Sequence, residues 1–320
     1  MKKLVALSIV FAFLLTVGIT GVAQAEVRDI IITSGGTGGS WYLLGAQLGE
    51  LIQSNMNIPT SVIEGGEIPN IRLTNEGRDA DIGIASLPNL LAALDGNSPF
   101  DEDNIDNISP IINFALDYAQ FTVLSDNDID SFEDLSDGRI LPGPRNWGIE
   151  VLTRKVLELY DLDYESIQDK GGSISYVSWG EAPSLLTDGH ADMAAFKGTY
   201  PNANIMQIEA THDAKVLSID EEKIQQFIDE NEGYFEGIVP AETYSGQDED
   251  ALTIAHTSLL FVNNDLPDDV VYEIVGLLID NKDSLNEIEG IEMEDDILLG
   301  IEPELLHPGA RQYYEDNGYL

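Results

Sequence analysis

Strand-like and helix-like periods alternate along the chain. Residues 27–32 form a short apolar run with β-branched members, which predicts a strand. Leu44, Leu48, Leu51 and Ile52 then recur at helical spacing. A strand is predicted over 59–63, a helix over 67–76 and a strand over 81–85, with Ser86 placed to cap the next helix. Residues 97–107 are polar and without period. Residues 108–116 and 120–124 read as extended segments linking two halves, and 129–135 lead into a short strand over 139–141.

The second half repeats the plan. A loop over 142–148 opens a helix running to about Tyr160, followed by a strand over 173–178, a helix over 179–187 and a strand over 191–196. The stretch 197–201 opens another helix. Beyond it come an extended segment over 214–219, a helix over 221–230 and a return over 235–240. An apolar, β-branched stretch covers 251–262, and an amphipathic helix covers 268–279.

An internal echo supports two related halves. Residues 73–84 and 186–195 each run from a helix end through a glycine stop to Ala-Asp at the start of a strand: Gly77, Ala80 and Asp81 in one, Gly189, Ala191 and Asp192 in the other. Two α/β lobes of like topology are the simplest explanation, although helix–glycine–strand junctions are generic. The expected fold is α/β and two-lobed, with an interlobe ligand cleft. The loops at the carboxyl ends of the parallel strands then face that cleft. Residues 35–42, Glu64 to Gly66 and Ser86 form one wall; residues 142–148, 178–181 and 198–201 form the other.

Composition narrows the class. Lys2 and Lys3, an apolar run from Leu4 to about Val17, and Ala23-Gln24-Ala25 predict a signal peptide over 1–25 with cleavage after Ala25, and hence an exported, periplasmic protein. No later stretch is long and apolar enough to span a bilayer, and there is no cysteine for a disulfide framework. The formal charge is −43, and removal of Lys2 and Lys3 takes it to −45. That balance excludes nucleic acid and anionic membrane surfaces as partners. Hydrophobic residues still make up 43% of the chain, so it is not a disordered polyanion. Dense, scattered carboxylates read as adaptation to high salt.

The chemistry centres on Ser34-Gly35-Gly36-Thr37-Gly38-Gly39-Ser40, set between a predicted strand and a predicted helix. Glycines let backbone N–H groups approach a guest, and the helix start adds unpaired donors and a positive dipole end. The arrangement suits an anion or carboxylate, or is simply a turn without ligand. No Lys-Ser or Lys-Thr follows, so it is not a phosphate-binding nucleotide loop. Trp41 stands where a dinucleotide fingerprint needs its third glycine.

Other candidates carry bland alternatives. Arg145 is one of only 15 basic residues and falls in a predicted cleft loop, where it would clamp a carboxylate or else pair with a surface acid. Lys197 is a second such cation. Trp41, Trp147 and Trp179 suit aromatic walls or packing beneath the loops. Glu64 and Glu181 suit a ligand amine or solvation. Asp248-Glu249-Asp250 fits no calcium loop and reads as a capped turn, and the four histidines show no metal-ligand spacing. His307 reads as structural. No catalytic residue, metal or cofactor is expected.

Four blocks in order resemble the TAXI family, the substrate-binding proteins of tripartite ATP-independent periplasmic (TRAP) transporters. They are residues 34–42, Ala80-Asp81-Ile82-Gly83-Ile84, residues 240–250 with Thr243-Tyr244-Ser245-Gly246-Gln247-Asp248, and residues 306–314 beginning Leu306-His307-Pro308-Gly309. The resemblance implies a type II periplasmic-binding-protein fold and a membrane-embedded permease driven by an ion gradient. It also implies a small carboxylate ligand, glutamate-like or 2-oxoglutarate-like. Thr37, Gly38, Ser40 and Tyr42 fall on the family's first ligand loop. The chain departs from the family at Pro144 to Gly148, where a Gly-Ser-Gly-Thr-like loop is usual, and at Ser86, where Gln is usual.

The expected ligand-binding set is Gly36, Thr37, Gly38, Gly39, Ser40, Trp41, Tyr42, Glu64, Gly66, Ser86, Arg145, Asn146, Trp147, Gly148, Trp179, Gly198 and Pro201. Lobe I is expected over 26–118 and lobe II over 119–236. Residues 237–320 are expected to return to lobe I, with C-terminal helices packing across both lobes. An enzyme is disfavoured: no Gly-x-Ser-x-Gly elbow is present, and no cysteine. A receptor for an ATP-driven importer and a sensor input domain on the same fold remain the alternatives.

Overall fold

The computed structural model describes residues 27–37, 39–145, 147–293 and 296–320. The expected signal peptide, Gly38 and Asn146 lie outside the described residues.

The first lobe begins with three parallel strands, β1 (Ile30–Thr33), β2 (Thr60–Ile63) and β3 (Ile82–Ser86). Helices α1 (Ser40–Met56) and α2 (Glu67–Glu76) connect them, and α3 (Leu87–Leu94) follows. α1 buries Leu44, Leu48 and Ile52, the residues whose spacing predicts it. α2 ends at Gly77, whose φ of 63° permits the left-handed C-cap and two capping bonds from its N–H.

The two linking segments expected over 108–116 and 120–124 are one strand, β4 (Ile108–Leu124). Asp117 reads as a break in the apolar pattern, but it is buried and accepts a hydrogen bond from Ser258, so the ladder runs on through it. The second lobe follows with β5 (Arg139–Leu141), α4 (Gly148–Glu158), α5 (Tyr164–Asp169) and β6 (Ser173–Ile174). The strand expected to reach 178 stops after two residues because β6 pairs only with the short β5. α6 (Ala182–Thr187) starts later than the expected 179, since Glu181 first closes a turn on Ser178.

The chain continues through β7 (Met193–Gly198), α7 (Ala203–Glu209), β8 (Ala214–Val216), α8 (Glu221–Glu230), β9 (Tyr234–Val239) and β10 (Ala251–Asn263). It closes with α9 (Asp268–Asp280), α10 (Lys282–Leu285) and α11 (Pro308–Asn317).

The strands join in the order β2-β1-β3-β10-β4-β7-β5-β6, with β8 on β4 and β9 on β10. β4 and β10 are antiparallel partners from Tyr118↔Ala255 to Ile108↔Asn263. One end of β10 pairs with β3 and the other with β9, while the far end of β4 pairs with β7. Two long strands therefore pass from one α/β lobe to the other, giving a two-lobed binding-protein fold. Ile32, Leu48, Ile84 and Phe261 belong to one core, and Phe121, Phe132, Val156 and Phe227 to another. A smaller cluster around Leu186, Phe196 and Tyr244 covers the remaining face of the second lobe. The C-terminal helices, expected across both lobes, place Val271, Ile274, Leu285 and Tyr314 in the first core.

The internal echo has a structural counterpart. Asp81 Oδ2 accepts the Ile31 N–H at 2.7 Å, and Asp192 Oδ2 accepts the Arg139 N–H at 2.7 Å. Each aspartate thus holds the start of the neighbouring parallel strand in its own lobe. Among the described residues, no helix is long and apolar enough to cross a membrane.

Candidate functional site

The loops after β1, β2 and β3 are tied together by Asn70. Its Oδ1 accepts from Thr33 Oγ1 at 2.7 Å and from the Gly66 N–H at 3.1 Å; its Nδ2 donates to the carbonyls of Ser34 and Ile84 at 2.8 and 2.7 Å. Gly65 passes so close that an added Cβ would stand 2.0 Å from Asn70 Oδ1, so this position requires glycine. The buried amide thereby fixes where α2 begins and aims Glu67, its first residue.

Glu67 faces the other lobe. Its Oε1 accepts from Lys197 Nζ at 3.0 Å, and its Oε2 accepts from Ser86 Oγ at 2.6 Å and from Asn89 Nδ2. Glu67 and Lys197 side chains are only 17% and 12% exposed, so the pair is largely shielded from water. Gly148, the first residue of α4, lies against it: a Cβ there would be 3.4 Å from Glu67 Oε1 and 3.8 Å from Lys197 Nζ. The Lys197 ammonium also sits 5.8 Å from the centre of the Trp41 ring.

His256, Asp117 and Tyr234 complete the junction. The Tyr234 ring meets His256 edge-on at 5.8 Å, and His256 Nδ1 lies 3.1 Å from the Thr257 carbonyl. Burial raises the Glu67 carboxyl, but Lys197, the Ser86 hydroxyl, His256 and Asn89 outweigh it and hold the group at about 2. For Lys197, burial works against the charge, and Glu67 with Asp117 more than restores it. Burial, then Lys197, pushes His256 toward its neutral form against the opposing pull of Asp117 and Glu67. Burial, helped by Glu67, keeps the Tyr234 phenol protonated. The junction therefore holds a fixed anion on the first lobe and a fixed cation on the second.

The expected site residues fall at varied distances from this pair. Trp41, Ser86 and Gly148 surround it. Ser86 stands at the N-cap of α3, but it gives its hydroxyl to Glu67 and makes no side-chain cap. Gly36, Thr37 and Gly39 are exposed, with the Gly39 N–H bonded to the Gly36 carbonyl at 3.0 Å. Glu64, just after β2, accepts the Thr37 N–H at 2.8 Å and so ties the glycine loop to the end of the neighbouring strand. Ser40 opens α1, Tyr42 is half-buried in its first turn, and Gly66 is the N-cap of α2.

On the second lobe, Arg145 is exposed and lies 4.2 Å from the Tyr176 ring of its own lobe. Trp147 is 53% exposed and meets Trp179 edge-on at 5.6 Å. Among the described residues, the buried Trp179 indole nitrogen has no hydrogen-bond partner. Gly198 ends β7 with φ of 145°, and Pro201 is exposed after a cis peptide bond. Glu181 accepts from the Ser178 hydroxyl and N–H, bonds that lower its pKa and serve the turn.

Glu67, Asn89, Asp117, Tyr234 and His256 were not among the expected site residues. An acid in the first turn of a helix reads from sequence as a complement to the helix dipole. Its position one residue after Gly65-Gly66, at the end of a predicted strand, is the signal that marks it. A separate cavity of about 370 Å³ lies beside the long strands, lined by Asn113, Leu116, Tyr118, Thr257, Glu292 and Asp296 among others, and by none of the expected site residues. Among the described residues, no group of three or more His, Cys, Asp or Glu side chains is placed to hold a metal ion.

A model of the NMT1-like family matches residues 32–318. No curated protein matches the chain. Among solved structures, a TctC solute-binding protein from Polaromonas, without ligand, is similar with a TM-score of 0.52 and 14% identity, covering 92% of this chain and 100% of the other. The periplasmic aliphatic sulphonate-binding protein SsuA from Escherichia coli has a TM-score of 0.48 and 12% identity, covering 90% of this chain and 83% of the other. At such identities the first comparison speaks for the fold.

Proposed function

Since the chain belongs to the NMT1-like family, we propose that it is an extracytoplasmic solute receptor of the TAXI type. It binds a small carboxylate-bearing solute between its lobes and delivers it to an ion-gradient-driven TRAP permease. The observation that carries this reading is Lys197. It is a largely buried ammonium on the second lobe, aimed at the first, and beside the aromatic face of Trp41. A cation so placed suits a ligand carboxylate. The starts of α1 and α4 lie next to it without side-chain caps, which leaves backbone donors for the same anion. Glutamate-like and 2-oxoglutarate-like compounds are the candidate ligands that the TAXI resemblance suggests.

The reading places lobe I over 26–118 and lobe II over 119–236, with export directed by residues 1–25. Of the segment from 237 expected in lobe I, the Tyr244 block still packs on lobe II, and the return is made along β10. It needs no nucleophile, since the solute leaves unchanged. Motion about β4 and β10 parts Glu67 from Lys197 and opens the cleft. Thermal-shift screening of carboxylates and amino acids in molar salt tests the proposal. A ligand at a hundredfold excess over its dissociation constant adds about 2.7 kcal/mol of stability. Lys197→Met is expected to abolish the shift. Stabilisation by no carboxylate in the panel overturns the reading.

A further inference from the structure

Resting on the receptor reading above, we infer that the ligand is an α-amino acid without net negative charge. Its ammonium takes the Glu67 oxygen that Lys197 releases, and its carboxylate takes Lys197 itself. The two partners of the ion pair are held unequally. Glu67 is anchored within its own lobe, since Ser86 and Asn89 both donate to Oε2 and α2 starts from the Asn70 network. Lys197 belongs to β7 and travels with the second lobe. When the lobes part, Oε1 of Glu67 stays on one wall and Nζ of Lys197 moves away on the other. A guest entering between them meets an anion and a cation that had satisfied each other.

A zwitterion restores both contacts. A dicarboxylate answers Lys197 but leaves Oε1 of Glu67 without a cation and adds a further carboxylate beside it, and like charges at short range are strongly disfavoured where water is excluded. The inventory of the junction points the same way. Glu67 and Asp117 both act on Lys197, a single cation between two acidic side chains, with His256 held toward its neutral form. Among the described residues, Lys197 and the disfavoured His256 are the cationic groups acting on Glu67, so a second carboxylate on the ligand finds little to receive it. The aromatic face of Trp41 also suits a guest carrying positive charge.

Isothermal titration of the mature chain in molar potassium chloride, with L-glutamine, L-lysine, L-leucine, L-glutamate and 2-oxoglutarate as probes, tests this inference. At least one of the first three is expected to bind ten times tighter than either L-glutamate or 2-oxoglutarate. Glu67→Gln is expected to weaken that amino acid at least tenfold and to leave 2-oxoglutarate unchanged or improved. Tightest binding of 2-oxoglutarate or L-glutamate to the native chain overturns the inference while leaving a carboxylate receptor standing. Binding of no carboxylate overturns both. The ranking on the native chain decides the matter even if Glu67→Gln fails to fold.

Discussion

Glu67 and Lys197 stand 130 residues apart and on different lobes, yet their side chains meet at 3.0 Å. Removing one member of such a shielded pair leaves the other charge without its partner, whereas removing both is far milder. Lys197→Met is therefore expected to destabilise the ligand-free protein by about 3 kcal/mol. The double variant Glu67→Gln with Lys197→Met should recover a large part of that loss. Urea unfolding of the four proteins, read as a double-mutant cycle, measures the coupling. Simple additivity of the two single losses contradicts the structure.

Acid should act in two stages. His256 and His307 both sit below their ordinary value of 6.5, each chiefly through burial. Below that value the unfolded chain takes up protons that the folded chain refuses, so stability falls as pH drops. Each histidine contributes a slope of up to about 1.4 kcal/mol per pH unit. Glu67 is lowered from 4.5 to about 2, so its contribution is complete above 4.5 and disappears as pH falls through about 2. Unfolding free energy is expected to be flat near neutrality, to fall below about 6.5 and to fall again in strong acid. His256→Gln should remove its share of the first decline, leaving that of His307, and retain the second. An unchanged slope in that variant assigns the decline elsewhere.

Salt should stabilise the protein as a whole while leaving the ion pair almost untouched. The formal charge of −43 is spread along the chain, and its self-repulsion weakens as the screening length shrinks from about 10 Å at 0.1 M to about 3 Å at 1 M. Melting temperature is expected to climb steadily through that range. Glu67 and Lys197, being largely shielded, are screened much less, so the coupling energy between them should change little. A melting temperature independent of salt counts against the high-salt reading of the composition.

The sequence makes the local punctuation readable and leaves the long-range pairing hidden. α2 is expected over 67–76 and found there, because Gly66 and Gly77 mark its two ends. Lys197 and Trp41 stand out as a scarce cation and an aromatic beside glycine loops. Glu67 does not, because its importance comes from a partner 130 residues away. β4 reads as two pieces because the pattern at Asp117 is polar; its burial becomes intelligible from β10, where His256 stands opposite it in the ladder and the Ser258 hydroxyl donates to it. Gly65 joins both levels. Its glycine character is visible, but the reason is Asn70, whose amide is already committed to four partners and has nowhere to move. Gly65→Ala is accordingly expected to cost about 2 kcal/mol or more, as overpacking of a tight site does. It should also weaken ligand binding by shifting the start of α2. Full stability in a denaturant titration of that variant removes the Asn70 network from the account.

The block containing Tyr244 and Gln247 carries much of the TAXI resemblance, and its role in the structure is to join segments of the second lobe. Gln247 Oε1 accepts the buried Val216 N–H at 2.7 Å, and its Nε2 donates to the Glu249 carbonyl at 2.7 Å. Tyr244 donates its hydroxyl to Gln120 Oε1 at 2.5 Å and accepts the Asn202 N–H at 2.8 Å. Together they connect β8, β4 and the start of α7. Asn202 lies just past residues 198–201, so the Tyr244 hydroxyl also helps to position that segment. Gln247→Ala leaves a buried β8 N–H unpaired and is expected to cost about 1–3 kcal/mol. Because the lost bond lies away from Lys197, ligand affinity should change far less than stability. Hydrogen exchange at the Val216 amide, compared between native and variant chains, gives the direct measure. Unaltered protection there means that Gln247 does not hold the strand.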